Sequence, residues 1–209
     1  MELGLLLIAS IYFLWLFGKT IFSKDKDTNH YISIVILLIV SVSLGYWPVT
    51  YKLFEMDVEK KIRVYHGKDV ELKCQSYLED LVGYQASGWV FHGDPKIHMQ
   101  YKTCIELKNF LKNPSNASKE NVWGLHVLTH ELVHVSGILD EKKTDCRAFQ
   151  QNHRTAKQLG VNTRDSTRAA IIAYKFWRDP ANSKYFSPEC VPGGALDDEY
   201  DDAVWNLEP

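Results

Sequence analysis

His130, Glu131 and His134 stand as HExxH within residues 128–135, LTHELVHV. Side chains four apart on a helix share a face, so the two imidazoles can bind one metal ion together. Glu131, one position on, is close enough to the metal's open corner to act as a general base toward water. Two neutral imidazoles, a third ligand, a vacant corner and a carboxylate base make the chemistry of a zinc hydrolase. Apart from Glu131, the residues just before and between the imidazoles are uncharged, as a helix packed into a core requires. Bare HExxH also arises by chance on ordinary helices, so the residues that follow have to decide.

Gly137 is a helix stop, because glycine takes the left-handed conformation without strain. Asp140 can cap a second helix running to about Leu159. On that helix Glu141 and Asp145 lie one turn apart, on one face with Ala148. HExxH followed by a helix with ExxxD and then a small residue resembles the gluzincin branch of the zincin metallopeptidases. The resemblance implies Glu141 as the third zinc ligand and Asp145 as the carboxylate that orients a ligating histidine. Six residues separate His134 from Glu141, fewer than in most gluzincins. A tight turn at Gly137 therefore has to bring the second helix back under the metal. The same stretch also fits HExxHxxGxxD, similar to metzincin-like enzymes, and that pattern makes Asp140 the alternative third ligand. The plain structural reading gives Asp140 as an N-cap and Glu141 as a first-turn acid favoured by the helix dipole. Taken further, HExxHxxGxxDExxxDCxA together with SPEC-x-x-GG-x-LD at 187–197 resembles a group of uncharacterised bacterial, membrane-anchored HExxH proteins. That likeness covers most of residues 70–205 and implies no particular substrate.

The elements that must position these residues are bounded by composition. The chain has 209 residues and a formal net charge of −2, which suits one globular domain with accessories and excludes nucleic acid as a partner on charge grounds. Cys74, Cys104, Cys146 and Cys190 form no CxxC, so a cysteine zinc site or a thioredoxin-like motif is not expected. Four widely spaced cysteines suit two disulfides if the domain lies outside the cytosol, and buried free thiols if it does not.

Two apolar runs, about 3–18 and 31–47, predict a transmembrane hairpin over 1–47. The first lacks a preceding base and a following small-x-small site, which argues against a cleaved signal peptide. Tyr46, Trp47 and Tyr51 suit an interfacial belt, and Pro48 closes the second helix. The loop 19–30 carries Lys19, Lys24 and Lys26, so positive-inside places it in the cytoplasm and the rest outside. The expectation is a two-pass cell-membrane protein with an extracytoplasmic domain.

Residues 48–69 read as a connector with a strand at Lys61–Tyr65, and 70–209 as the zincin-like domain. Within it, Val70–Val82 suits a short amphipathic helix carrying Cys74 and ended by Gly83. Tyr84–Phe91 and Lys96–Tyr101 read as strands joined by a turn at Gly93-Asp94-Pro95, and Cys104–Leu111 as a helix. By resemblance, one of the two strands is the edge that runs beside the active-site helix and pairs with substrate. That helix is expected from Lys119 to Ser136, capped by Ser118, with His126 a core or surface histidine. Residues 164–178 form a further helix. Nothing in the spacing chooses between Tyr174 and Tyr185 as an oxyanion donor. The acids at 197–202 read as a solvated tail. The fold class expected is α+β: a compact, mostly helical zincin-like domain with a small antiparallel sheet, behind a two-helix membrane hairpin. The function expected is a membrane-tethered metallopeptidase using Zn2+, with the bilayer and a peptide substrate as partners. An intramembrane protease, or a non-catalytic protein that keeps zinc for assembly, are the alternatives.

Overall fold

A computed structural model of the chain describes residues 2–22, 28–66, 69–82, 86–91, 93–181 and 184–207. These divide into two compact units, Met1–Glu55 and Met56–Pro209. Lys24, Lys26, Gly83 and Tyr84, on which expectations about loop charge and element ends rested, lie outside the described residues.

In the first unit, helix α1 (Glu2–Ile21) meets the early turns of helix α2 (Thr28–His66) at a serine pair. Ser10 Oγ donates to the Ser41 carbonyl at 2.8 Å and Ser41 Oγ donates to the Ser10 carbonyl at 3.0 Å. Gly45 allows the approach, since a Cβ there would lie 2.8 Å from Ser10 Oγ. The stretch His30–Arg63 is long and apolar enough to cross a membrane; Leu6–Ile21 is apolar but shorter.

Helix α2 corrects two expectations. It continues through Pro48 to His66, and Lys61–Tyr65 is helical rather than a strand. A proline inside a helix costs about 3 kcal/mol, but the turns beyond it have their own reasons to be helical. Val58 and Ile62, four apart, are fully buried in the second unit. Asp57 and Lys61, also four apart and acid first, pair at 2.7 Å.

The second unit continues with β1 (Glu71–Cys74), α3 (Tyr77–Val82), β2 (Gly88–Val90), β3 (Lys96–Met99), α4 (Tyr101–Lys112), α5 (Lys119–Val135), α6 (Glu141–Gln158) and α7 (Thr163–Trp177). The sheet has the order β1-β3-β2, with β1 parallel and β2 antiparallel to β3. It is therefore mixed, not antiparallel as expected. The difference arises at Val70–Val82, which is a strand and then a helix. Ser76 and Glu79 split it: Ser76 Oγ accepts from the Glu79 amide at 3.3 Å while the Glu79 carboxylate accepts from the Ser76 amide at 2.9 Å. This reciprocal cap starts α3 at Tyr77 and frees residues 71–74 to pair with β3. Leu72, Cys74, Ile97 and Met99 alternate inward and are buried.

Helix α5 is the hub. It packs against α4, α6, α7, β2 and β3, and Leu125, Leu128 and Leu132 are buried along it. Ser118 caps it, and Asn121 completes the reciprocal pair in place of the usual Glu. Gly124 lets α4 lie directly on it: a Cβ would stand 2.8 Å from Leu107 Cα and 2.9 Å from the Glu106 carbonyl carbon.

The four cysteines form two disulfides rather than free thiols: Cys74–Cys104 joins β1 to α4, and Cys146–Cys190 joins α6 to the C-terminal segment. They span 30 and 44 residues, and each stabilises the fold by about 4 kcal/mol through restriction of the unfolded chain. The segment after Cys190 is a strap along α6 rather than a solvated acidic tail. Arg147 forks onto Asp198. Gln150 donates to the Leu196 carbonyl and accepts from the Asp198 amide, both at 2.9 Å. Arg154 pairs with Asp202 at 2.6 Å and lies 4.2 Å from the Tyr200 ring centre. Arg147, Gln150 and Arg154 fall on one helical face, which is why a helix of low apolar content still holds a partner.

Candidate metal centre

α5 delivers His130, Glu131 and His134; a turn at Gly137, with φ +102°, returns the chain so that α6 begins at Glu141. Glu141 Oε2 then lies 3.2 Å from His130 Nε2 and 3.4 Å from His134 Nε2.

The partners of the other ring nitrogens fix what those atoms offer. His134 Nδ1 is 2.6 Å from the Ile138 carbonyl. A carbonyl only accepts, so Nδ1 carries the proton and Nε2 of a neutral ring presents a lone pair. His130 Nδ1 likewise faces the Asp145 carboxylate, at 3.3 Å. Two lone pairs and a carboxylate oxygen thus converge, an arrangement that repels itself unless a cation stands among them. In the metal-free protein a proton does part of this. Burial opposes the charging of His130, but Asp145 and Glu141 outweigh it and lift its pKa to about 9. Burial lowers the pKa of His134, so no second proton comes from there. The spacing suits a metal: a tetrahedral ion with bonds of about 2.0–2.1 Å sets its ligand atoms about 3.3 Å apart. His130, His134 and Glu141 together could hold such an ion.

A second set of mutually close donor atoms, His126, His130 and Asp145, adjoins the first. Here hydrogen bonds account for the contacts. The Asn152 amide donates to His126 Nδ1 at 3.1 Å, so His126 Nε2 carries its proton and donates to Asp145 Oδ1 at 3.0 Å. His126 also stacks on Phe149, with ring centres 4.4 Å apart. Burial opposes ionisation of Asp145, yet His126 and His130 hold its pKa down to about 2. Its anionic oxygen therefore fixes the ring of His130. His126 is buried, as a core histidine, but it is also the outer member of this chain. Its place one turn before His130 was the only signal in the sequence. Asp145→Asn is expected to weaken metal binding about 10–100-fold while the fold stays intact, measured by competition with a chromogenic chelator.

Asp140 belongs to neither cluster; its carboxylate accepts from the Lys143 amide at 2.8 Å and caps α6. Glu131 is buried, and its Oε2 has no hydrogen-bond partner among the described residues. Burial first, and the charge of Glu141 after it, raise its pKa to about 7 against the opposing pull of His130 and Lys184. β2 runs beside it: a Cβ on Gly88 would stand 2.9 Å from Glu131 Oε1.

Two residues reach the site from far along the chain. Lys184 Nζ pairs with Glu141 Oε1 at 3.2 Å and donates to the Tyr185 hydroxyl at 3.0 Å. The Tyr185 ring centre lies 5.8 Å from that of His130. Tyr174 serves elsewhere, donating to the Cys190 carbonyl at 3.1 Å. A cleft of about 720 Å³ opens over His130, Glu131, His134 and Glu141, walled by Trp89 to Phe91 on one side and by Lys184 and Tyr185.

No family model, no curated protein and no solved structure matches the chain. The kinship suggested by HExxH and ExxxD rests on the residues themselves.

Proposed function

We propose that the chain is a membrane-tethered zinc metallopeptidase. The observation that carries the reading is the convergence of His130 Nε2 and His134 Nε2 on Glu141 Oε2, with the opposite nitrogens of both rings committed elsewhere. Two imidazoles and one carboxylate form a donor set that zinc takes in catalytic sites. Bound there, zinc would polarise a peptide carbonyl and make water a better nucleophile.

The chain's own residues supply the rest. A peptide can lie along the outer edge of β2 by backbone hydrogen bonds, the way an added strand binds, and glycine at 88 lets that edge sit against Glu131. Glu131, with its pKa near 7 and one oxygen unpartnered, takes the proton from the attacking water and hands it to the leaving amine. Lys184 donates to the Tyr185 oxygen, which leaves the phenol's own proton free to meet the oxyanion that develops on the substrate. Asp145, braced by His126, holds the ring of His130 in the ligating tautomer.

The tether is the pair of apolar helices, proposed to cross the bilayer twice with the metal-bearing unit outside the cytoplasm. Supporting it are large apolar side chains left exposed on both, Ile8 at 65% and Ile11 at 64% on α1, Ile39 and Val42 at 59% on α2; lipid is what such a surface suits. The two disulfides fit an oxidising compartment.

The test is metal content. Full-length chain purified in detergent should carry about one zinc ion, and His130→Ala, of unchanged helicity, should carry none. A parent chain that folds and still retains no divalent ion after incubation with zinc overturns the reading.

A further inference from the structure

A smaller cavity, of about 260 Å³, adjoins the reactive groups on the side away from His134 and Glu141. Its walls are aromatic: Trp123, Trp177 and Tyr185, with Val127 and Ser87 beside them. The indoles of Trp123 and Trp177 stand 4.6 Å apart between ring centres, at 43° to each other. The Trp177 indole nitrogen is buried, with no hydrogen-bond partner among the described residues. Gly88, His130, Glu131 and Tyr185 line this cavity and the larger cleft alike, so the two spaces meet at the reacting centre. A backbone lying along β2 would pass between them and turn one flanking side chain into the smaller space.

We propose that this cavity is the subsite for an aromatic side chain next to the scissile bond. The proposal rests on the peptidase reading and names its substrate class. Pockets for drug-sized ligands run to roughly 300–1,000 Å³; this one has the order of size of a single side chain. Tilted indole faces favour an aromatic ring in edge-to-face or offset contact over a flexible aliphatic chain. A lysine or arginine side chain suits the site less well. Of the two acids in its lining, Asp145 already accepts from two imidazoles through Oδ1 and Glu131 is taken up as the base toward water, and a divalent ion held by His130 would repel a second cation.

The experiment separates binding from turnover. Full-length Glu131→Gln chain in detergent is titrated with N-acetyl-tyrosinamide and with N-acetyl-alaninamide, and tryptophan fluorescence is followed. The aromatic amide is expected to bind on the order of tenfold or more tightly, and Trp123→Ala to erase the difference. Trp123 packs against Trp177, so a second variant guards against simple unfolding. Ser87→Phe fills the cavity from a residue that lines this space and not the larger cleft; it should also erase the preference with circular dichroism unchanged. Equal binding of the two amides, or a preference that survives Ser87→Phe, overturns the proposal. Cleavage of a peptide mixture by the parent chain distinguishes the two readings. Selective binding without any cleavage keeps the subsite and removes the peptidase. Cleavage with no enrichment of aromatic residues beside the cut keeps the peptidase and removes the subsite.

Discussion

Glu131→Gln is expected to keep its metal and lose peptidase turnover by about 10²–10⁴-fold, the range supplied by a general acid–base residue. Glutamine occupies the same volume and leaves His130, His134 and Glu141 untouched, so metal content should match the parent. A stability change should accompany the loss. The folded-state pKa of Glu131 stands near 7, above its ordinary value of 4.5, with burial as the main cause. A buried acid with a raised pKa binds its proton more tightly folded than unfolded. Its ionisation therefore costs stability as pH rises from about 4.5 to 7, and the cost is complete above 7. The neutral amide removes that cost. The metal-free variant should be more stable than metal-free parent at pH 8, and the gap should close as pH falls toward 4.5. Urea midpoints at the two pH values, with zinc analysis and a peptide assay, check all three statements. Undiminished turnover in the variant would mean that another group is the base; it would also admit the alternative in which zinc serves only assembly.

Gly124→Ala is expected to destabilise the second unit by about 1–3 kcal/mol, the usual range for overpacking a close contact, and Gly124→Val by more. Helix propensity alone points the other way, since alanine is favoured over glycine inside a helix by about 1 kcal/mol. The clash decides the sign. The added carbon meets backbone atoms of Glu106 and Leu107, not the end of a movable side chain, so α4 has to move as a body. For a unit of this size, 1 kcal/mol shifts the melting temperature by about 2–4 °C; scanning calorimetry of the two variants gives the number. A melting temperature raised by Gly124→Ala would show that α4 yields cheaply and that the close approach is not what holds the layer.

What could be read in the sequence was whatever local spacing determines. HExxH, the turn at Gly137 and the acids at 141 and 145 all lie within 16 consecutive residues, and two helices with the one turn between them bring them together. The N-caps at Ser118 and Asp140 are local in the same way. The Ser76–Glu79 pair was equally local, but the apolar period from Val70 onward suggested a helix that the cap in fact begins only at Tyr77. The parallel pairing of β1 with β3 depends on residues 25 apart, Glu71 with Lys96, and no window of neighbours reveals it. Lys184 reaches Glu141, and Tyr185 reaches His130, from more than forty residues downstream. Two tyrosines were equal in sequence, and only the course of the C-terminal segment separates them. Likewise, acids 198 and 202 look solvated until Arg147 and Arg154 are seen facing them.

The placement of the two cystine bridges divides the site in an unequal way. Neither crosses α5, so the helix that carries the imidazoles is held by packing and hydrogen bonds, without a covalent link of its own. The acids of α6 and the segment that leads to Tyr185 are instead riveted to each other through Cys146 and Cys190. The redox character of the surroundings thereby governs how firmly the carboxylate and phenol side of the centre is kept in register, and it reaches the histidine side only through Asp145.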